Sequence, residues 1–295
     1  MTAFRLAHIS DPHLPPPEEA FRWGDLVSKR LLSRSAWRRK HTRHSKAVLD
    51  AITTDIRGSA VDHLAITGDL TNFSTPGEYA AARDWLASLG DPTRVTVSPG
   101  NHDALVADGG TLGSSPWREW LGDASRDAFP YVRLQGPMAL LNLSSAQPTN
   151  LHLAQGTLGS SQIARAEGLL HDLGQQGFYR VVLLHHPPLE GVVSRRKALT
   201  DADRFQAALK RTGAELILHG HVHEALLGAV PGPTRDIPVM GVPAASTPFG
   251  RRHDQAARWN DIEISRDGKV FRTRVTSREI TSDLGVVTTG QFVLV

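Results

Sequence analysis

The sequence predicts an α/β protein in which two sheets pack together with helices outside. Two observations carry that expectation. From the first strand to about residue 212, short continuous runs rich in Val, Ile and Leu alternate with helix-like segments, as buried parallel strands and their crossover helices do. Beyond about residue 237, closely spaced strand-like runs are separated by turn residues such as Asp267-Gly268. Alternating β/α units followed by a strand-rich part suggest two sheets packed together with helices outside.

The first strand is expected at residues 5–10, then an insertion and a helix at about 44–57. Strands at 63–67 and 94–98 flank a helix at about 76–89. Residues 109–130 are rich in Gly and Ser and read as a loop with a short helix. Trp117, Trp120 and Phe249 are assigned to packing rather than to a pocket. A strand at 138–144, a helix at 159–173 and a strand at 181–184 follow, then a helix at 201–212 and a strand at 216–218. The last strands are expected at 238–242, 261–265, 270–276 and 291–295. With no internal repeat or convincing linker, the reading is one domain over 1–295, with an insertion at about 15–43 and a strand-rich part from about 237.

Of 295 residues, 40% are hydrophobic and 21% charged, ordinary values for a globular chain. Zero Cys excludes disulfides, thiolate nucleophiles and Cys-ligated zinc. No run approaches the roughly 20 apolar residues that span a bilayer, and no leader-like stretch precedes the first strand. A cytoplasmic location is therefore expected. The net charge of +3 is uneven: Lys29, Arg30, Arg34, Arg38, Arg39, Lys40, Arg43 and Lys46 cluster with no acid among them. Such a cluster attracts anions.

Five of the predicted strands end in side chains able to hold a hard or borderline metal ion. They are Asp11-Pro12-His13, Gly68-Asp69, Gly100-Asn101-His102-Asp103, His185-His186-Pro187-Pro188 and Gly220-His221-Val222-His223. Ligand sites in α/β sheets lie beyond the carboxyl ends of the strands, so these groups should converge. Asp11 and His13 project the same way if the chain stays extended, and so do His221 and His223. Asp69 has two oxygens and can bridge two ions. Gly100 should permit a sharp turn. His102 could sit beside the metals as a donor to a phosphoryl oxygen or as a general acid. Asp103 is expected to be structural, and His186 and His219 to pack or hydrogen-bond. Each motif is weak alone, and only their order and shared position give the set its force.

The five motifs in this order resemble the calcineurin-like metallophosphoesterase superfamily. The phrases HISDPH, ITGDLTNFSTPGEY, SPGNHD and LLHHPPL resemble its class III cyclic-nucleotide phosphodiesterase and glycerophosphodiesterase branch. The resemblance implies a four-layer αββα sandwich of two mixed sheets with a dinuclear centre. It implies that Asp11, His13 and His223 hold one ion, that Asn101, His185 and His221 hold the other, and that Asp69 bridges both. His102 would sit at the substrate phosphate.

Two adjacent cations offset the charge of a phosphodiester, and hydroxide generated between them would attack phosphorus in line. His102 and Asp69 are thus the expected catalytic residues, on a mixed N/O ligand set suited to Mn, Fe, Co or Zn. The expected activity is a phosphodiesterase cleaving a P–O bond of a small substrate. Two other readings remain open. One is hydrolysis of a lipid-linked pyrophosphate of the UDP-2,3-diacylglucosamine kind, with residues 15–43 as a lid and residues 21–43 touching an anionic membrane. The other is a metal-binding interaction scaffold without activity. A nuclease is disfavoured, because the basic run carries no recognisable nucleic-acid-binding motif. The strand-rich tail after Ile237 could cap a sheet or make a homodimer contact, and the sequence leaves both readings open.

Overall fold

The computed structural model describes residues 3–18, 43–105, 117–122, 128–150, 152–268 and 270–294. Most of the 15–43 insertion, including the basic cluster up to Lys40, lies outside the described residues.

Two six-stranded mixed sheets form the centre of the molecule. In the first, β1 (Phe4–Ile9), β2 (His63–Ile66) and β3 (Val95–Val97) run parallel. The antiparallel strands β10 (Arg258–Asp267), β11 (Val270–Ile280) and β12 (Val286–Leu294) extend it from the far side of β1. The strand-rich tail therefore completes this sheet. In the second sheet β5 (Met138–Asn142), β6 (Tyr179–Leu183), β7 (Leu216–His219) and β9 (Ile237–Gly241) are parallel. Antiparallel strands β4 (Tyr131–Gln135) and β8 (Leu226–Val230) close its two edges. Neither β4 nor β8 is among the strands expected from sequence.

Alternation along the strands divides the core into three layers. Leu6, Ala65, Leu140, Val181, Leu183, Leu216 and Leu218 face the opposite sheet and fill the space between the two. Their neighbours Ala7, Ile9, Leu64 and Ile66 face outward, onto α1 (Lys46–Gly58) and α2 (Pro76–Leu89). On the other side Leu141, Val182, Ile217 and Val239 pack on α3 (Ser160–Gln175) and α4 (Ala202–Thr212). The result is the expected four-layer αββα arrangement. Trp117 and Trp120 are buried in the first outer layer, whereas Phe249 is 52% exposed.

The helices that seat the first sheet are well specified locally. Ser45 caps α1, and Val48, Leu49, Ile52 and Ile56 form its buried stripe. Thr75 and Glu78 make a capping box on α2, with Pro76 inside its first turn. The buried Glu78 carboxylate also accepts from the backbone N–H of Asn72 and Phe73. That ties the start of α2 to the loop leaving β2.

Candidate metal centre

All five motifs leave the carboxyl ends of parallel strands, three from the first sheet and two from the second. The ladder continues beyond the strands and carries them inward. Asp11 N–H donates to Gly68 O at 3.0 Å, His13 N–H to Asp69 O at 3.0 Å, and Gly220 N–H to His185 O at 3.1 Å. Asp11, His13, Asp69, Asn101, His185 and His221 are buried, and the His223 side chain is 36% exposed.

The chain does not stay extended through the paired motifs, contrary to the sequence expectation. Asp11, His13, Asp69, His221 and His223 all have positive φ, between 42° and 69°. Among the described residues nine non-glycine positions do so, and these five are predicted ligands. Asp and His tolerate this region better than most residues, yet each such position costs of order 1–3 kcal/mol unless its surroundings hold it. The strain turns alternate side chains into one cleft that an extended segment would have passed by.

Gly100 also differs from expectation. Its φ of −101° is open to any residue, so it provides no special turn. Space is what requires glycine: a Cβ there would sit 2.2 Å from Asp69 Oδ1. Asp103 fills the structural role foreseen for it. Its carboxylate accepts from the N–H groups of Asp69, Thr71 and Gly100, each at 2.9 Å, and from Thr71 Oγ1 at 3.1 Å. Burial and the neighbouring Asp69 push Asp103 up to about 7. A protonated oxygen would turn its O–H against one of four donors, so the geometry holds the charged form.

Ligand-type atoms of Asp11, His13, Asp69 and His223 lie within 4.8 Å of one another. His185 joins them, with Nε2 at 3.4 Å from Asp69 Oδ2 and 3.2 Å from Asn101 Oδ1. The His221 ring centroid is 5.1 Å from that of His185. The structure thus brings all seven predicted ligands to one place.

A cation fits this cluster. His185 Nδ1–H donates to Thr67 O at 2.6 Å, which aims Nε2 at two acceptor oxygens. Metal-binding imidazoles are oriented in just this way, by a carbonyl on the far nitrogen. His221 Nε2 and Asp11 Oδ1 are buried with no hydrogen-bond partner among the described residues, although Asp11 Oδ1 lies 3.1 Å from His223 Nε2. Such orphans are costly unless something binds them.

The acidities report the same field. Burial alone would lower His185, but Asp69 and Asp11 raise it to about 9. Burial alone would raise Asp11, but the charge of His223 brings it to about 2. Asp69 is likewise held well below the usual carboxylate range against burial, chiefly by His185 and His102. Burial, His44 and the other neighbouring imidazoles hold His13 far below the usual range, so its 3.8 Å approach to Asp69 is not an ion pair. The pocket favours positive charge where the acceptors meet.

Four other histidines surround the cluster. His102 donates its backbone N–H to Asp69 Oδ1 at 2.8 Å and Nδ1–H to Asn72 O at 2.9 Å. In this orientation its Nε2 carries a proton only when the ring is protonated. His186 bonds Ser145 Oγ and Ala154 O, and His219 bonds Gly220 O, as expected for packing residues. His44, which the sequence reading treated only as a helix start, stacks on His13 at 4.3 Å between ring centroids. No motif marked it.

A calcineurin-like phosphoesterase family model matches residues 4–225. The chain belongs to the calcineurin-like phosphoesterase family. As a member it is a phosphoric ester hydrolase, and the family implies divalent metal ions. A probable cyclic nucleotide phosphodiesterase of Synechococcus sp. (strain ATCC 27144) is 28% identical over 221 residues, 74% of this chain and 78% of that protein. Another, from Synechococcus sp. (strain WH7803), is 28% identical over 282 residues, 90% and 94% of the two chains. Among solved structures, a dimetal phosphatase from Danio rerio aligns with a TM-score of 0.59 at 13% identity, covering 97% of this phosphoesterase and 98% of that chain. A purple acid phosphatase from yellow lupin aligns with a TM-score of 0.60 at 12% identity, covering 99% of this chain and 53% of that one. At such identities these two share the fold. Among the described residues no helix is long and apolar enough to cross a membrane.

Proposed function

We propose that this phosphoesterase is a dinuclear, metal-dependent phosphodiesterase acting on small phosphodiesters of the cyclic nucleotide class. The observation that carries the reading is the convergence of Asp11, His13, Asp69 and His223 within 4.8 Å, with His185 and Asn101 bonded alongside. Asp11, His13 and His223 would hold one ion, Asn101, His185 and His221 the other, and Asp69 both. When bound, two divalent ions supply Lewis acidity and a water of lowered pKa.

The protein's own groups prepare the site for that chemistry. Asp103 fixes the Asp69 and Gly100 backbones together, so the bridging carboxylate and the Asn101 amide keep their spacing. Thr67 O holds His185 in the tautomer whose Nε2 is free to bind. Asn72 O takes the Nδ1–H of His102 and turns Nε2 to the cleft, where a proton on it would be given to the departing oxygen. The mixed N/O ligands suit Mn, Fe, Co or Zn. The names of the 28% identical relatives support the cyclic nucleotide class. Nothing supports the lipid-linked pyrophosphate reading, and the lid and membrane contact assigned to it fall mostly outside the described residues. A complete donor set speaks against an inactive scaffold.

Purified protein, stripped and reloaded with each metal, should hydrolyse bis(p-nitrophenyl) phosphate and cyclic nucleotides, lose activity to chelator and regain it on reloading. Two ions per chain with no hydrolysis under any of the four metals would refute the enzyme and favour the scaffold.

A further inference from the structure

Beside the seven predicted ligands stands an imidazole that no motif accounts for. His44 packs on His13 and lies 6.1 Å, between ring centroids, from His223. It is half-buried, and its atoms are not part of the ligand cluster. Its anchor is Ser246, on the loop after β9, whose Oγ lies 2.7 Å from His44 Nδ1. Ser45 N–H donates to Ser246 O at 2.8 Å, so the two loops are joined by backbone as well. The neighbouring Arg43 is occupied with Asp254 at 3.5 Å. Nε2 of His44 has no hydrogen-bond partner among the described residues.

The hydroxyl of Ser246 has one proton and two places to put it. The alternative acceptor, Asp11 O, is 3.5 Å away, beyond the usual O–H···O range, whereas 2.7 Å suits a bond to Nδ1. With Ser246 donating to Nδ1, the neutral ring keeps its proton on Nε2. His102 has the opposite arrangement, since a carbonyl takes its Nδ1–H. One imidazole beside the cluster is thus a donor while neutral, and the other only when protonated.

We propose that His44 is a substrate-contacting residue, whose Nε2–H donates to a non-bridging oxygen of the bound phosphodiester, with Ser246 as the positioning residue that fixes its tautomer. The proposal rests on the dinuclear phosphodiesterase reading above. It divides the labour between the two imidazoles: His44 binds the phosphoryl group and His102 serves the leaving oxygen.

The test uses inorganic phosphate as probe on manganese-loaded protein, with binding followed by calorimetry, metal content by elemental analysis and folding by circular dichroism. His44→Ala should weaken phosphate binding roughly tenfold or more, as loss of a hydrogen bond to a charged group does. It should raise KM for bis(p-nitrophenyl) phosphate similarly and leave manganese content at the wild-type value. His44→Gln, which restores an N–H donor, should recover part of the affinity. Ser246→Ala should fall between wild type and His44→Ala. Phosphate affinity within twofold of wild type in His44→Ala overturns the proposal, and so does loss of an ion, which would make His44 a metal ligand. A wild-type chain that takes up no manganese sinks the dinuclear reading itself. A loaded wild type beside an unaffected His44→Ala sinks only the assignment of His44.

Discussion

Asp103→Ala tests whether the centre is held by its supporting carboxylate as the geometry requires. Removing the side chain strands three buried backbone N–H groups, those of Asp69, Thr71 and Gly100, each now bonded at 2.9 Å. Each stranded donor costs about 1–3 kcal/mol, and readmitted water would recover part of it. The expected loss is roughly 3–6 kcal/mol, a large share of the 5–15 kcal/mol typical of a domain. Asp103→Asn keeps one acceptor and turns an amide NH₂ against the remaining donors, so it should lose about half as much. Both variants release the Asp69 and Gly100 backbones, and manganese affinity should fall roughly 10- to 100-fold, as it does when supporting groups are removed from metal sites. Urea unfolding of chelated protein gives the first quantity and manganese titration the second. Stability within about 1 kcal/mol of wild type, with unaltered manganese affinity, would show that the Asp103 bonds are incidental.

Asp69→Ala removes the one carboxylate shared by both proposed ions and should cut turnover of bis(p-nitrophenyl) phosphate by about 10²–10³, with fewer than two manganese ions retained; full turnover at saturating metal would refute the bridge. Gly220→Ala would put a Cβ 1.8 Å from Ser10 Oγ and 2.6 Å from Asp11 Oδ2. The displaced Asp11 should weaken manganese binding while the circular dichroism spectrum keeps its shape, and unaltered binding would count against Asp11 as a ligand. His63, remote from the cluster, is 1% exposed and bonded to Thr96 Oγ1. Burial, then Arg133 and Arg94, lower it to about 3. Below pH 6.5 the unfolded chain gains a proton there that the folded chain refuses until about pH 3, so stability drops as pH falls through that window. The slope from this residue is about 1.4 kcal/mol per pH unit, and His63→Gln should remove it; parallel profiles for the two proteins would be the contrary result.

The site was legible in this sequence because parallel strands deliver their following residues to one edge, and apolar runs ending at Asp11, Asp69, Asn101, His185 and His221 are readable without a structure. The helix over residues 76–89 was legible for a local reason, the Thr75, Pro76 and Glu78 start signals. Two strands escaped. In β8, Gly228 interrupts a short edge run whose side chains are half exposed, which weakens the β signal. In β4 the alternation of Tyr131, Arg133 and Gln135 before Gly136-Pro137 was available as a hairpin signal. What no spacing rule conveys is the left-handed backbone at Asp11, His13, Asp69, His221 and His223. Periodicity describes regular chain, and these residues depart from it where tertiary contacts hold them. His44 escaped for a similar reason: its neighbours His13 and Ser246 are far away in sequence.

The seven clustered side chains are drawn from both sheets. Asp11, His13, Asp69 and Asn101 follow strands of the first, and His185, His221 and His223 follow strands of the second. The cleft therefore works as a gauge of how the two sheets are seated on each other. Trimming an interlayer residue such as Leu6, Leu183 or Leu218 would change the gap between the two groups of donors without touching either. The apolar filling in the middle of the molecule sets the dimensions of its polar mouth.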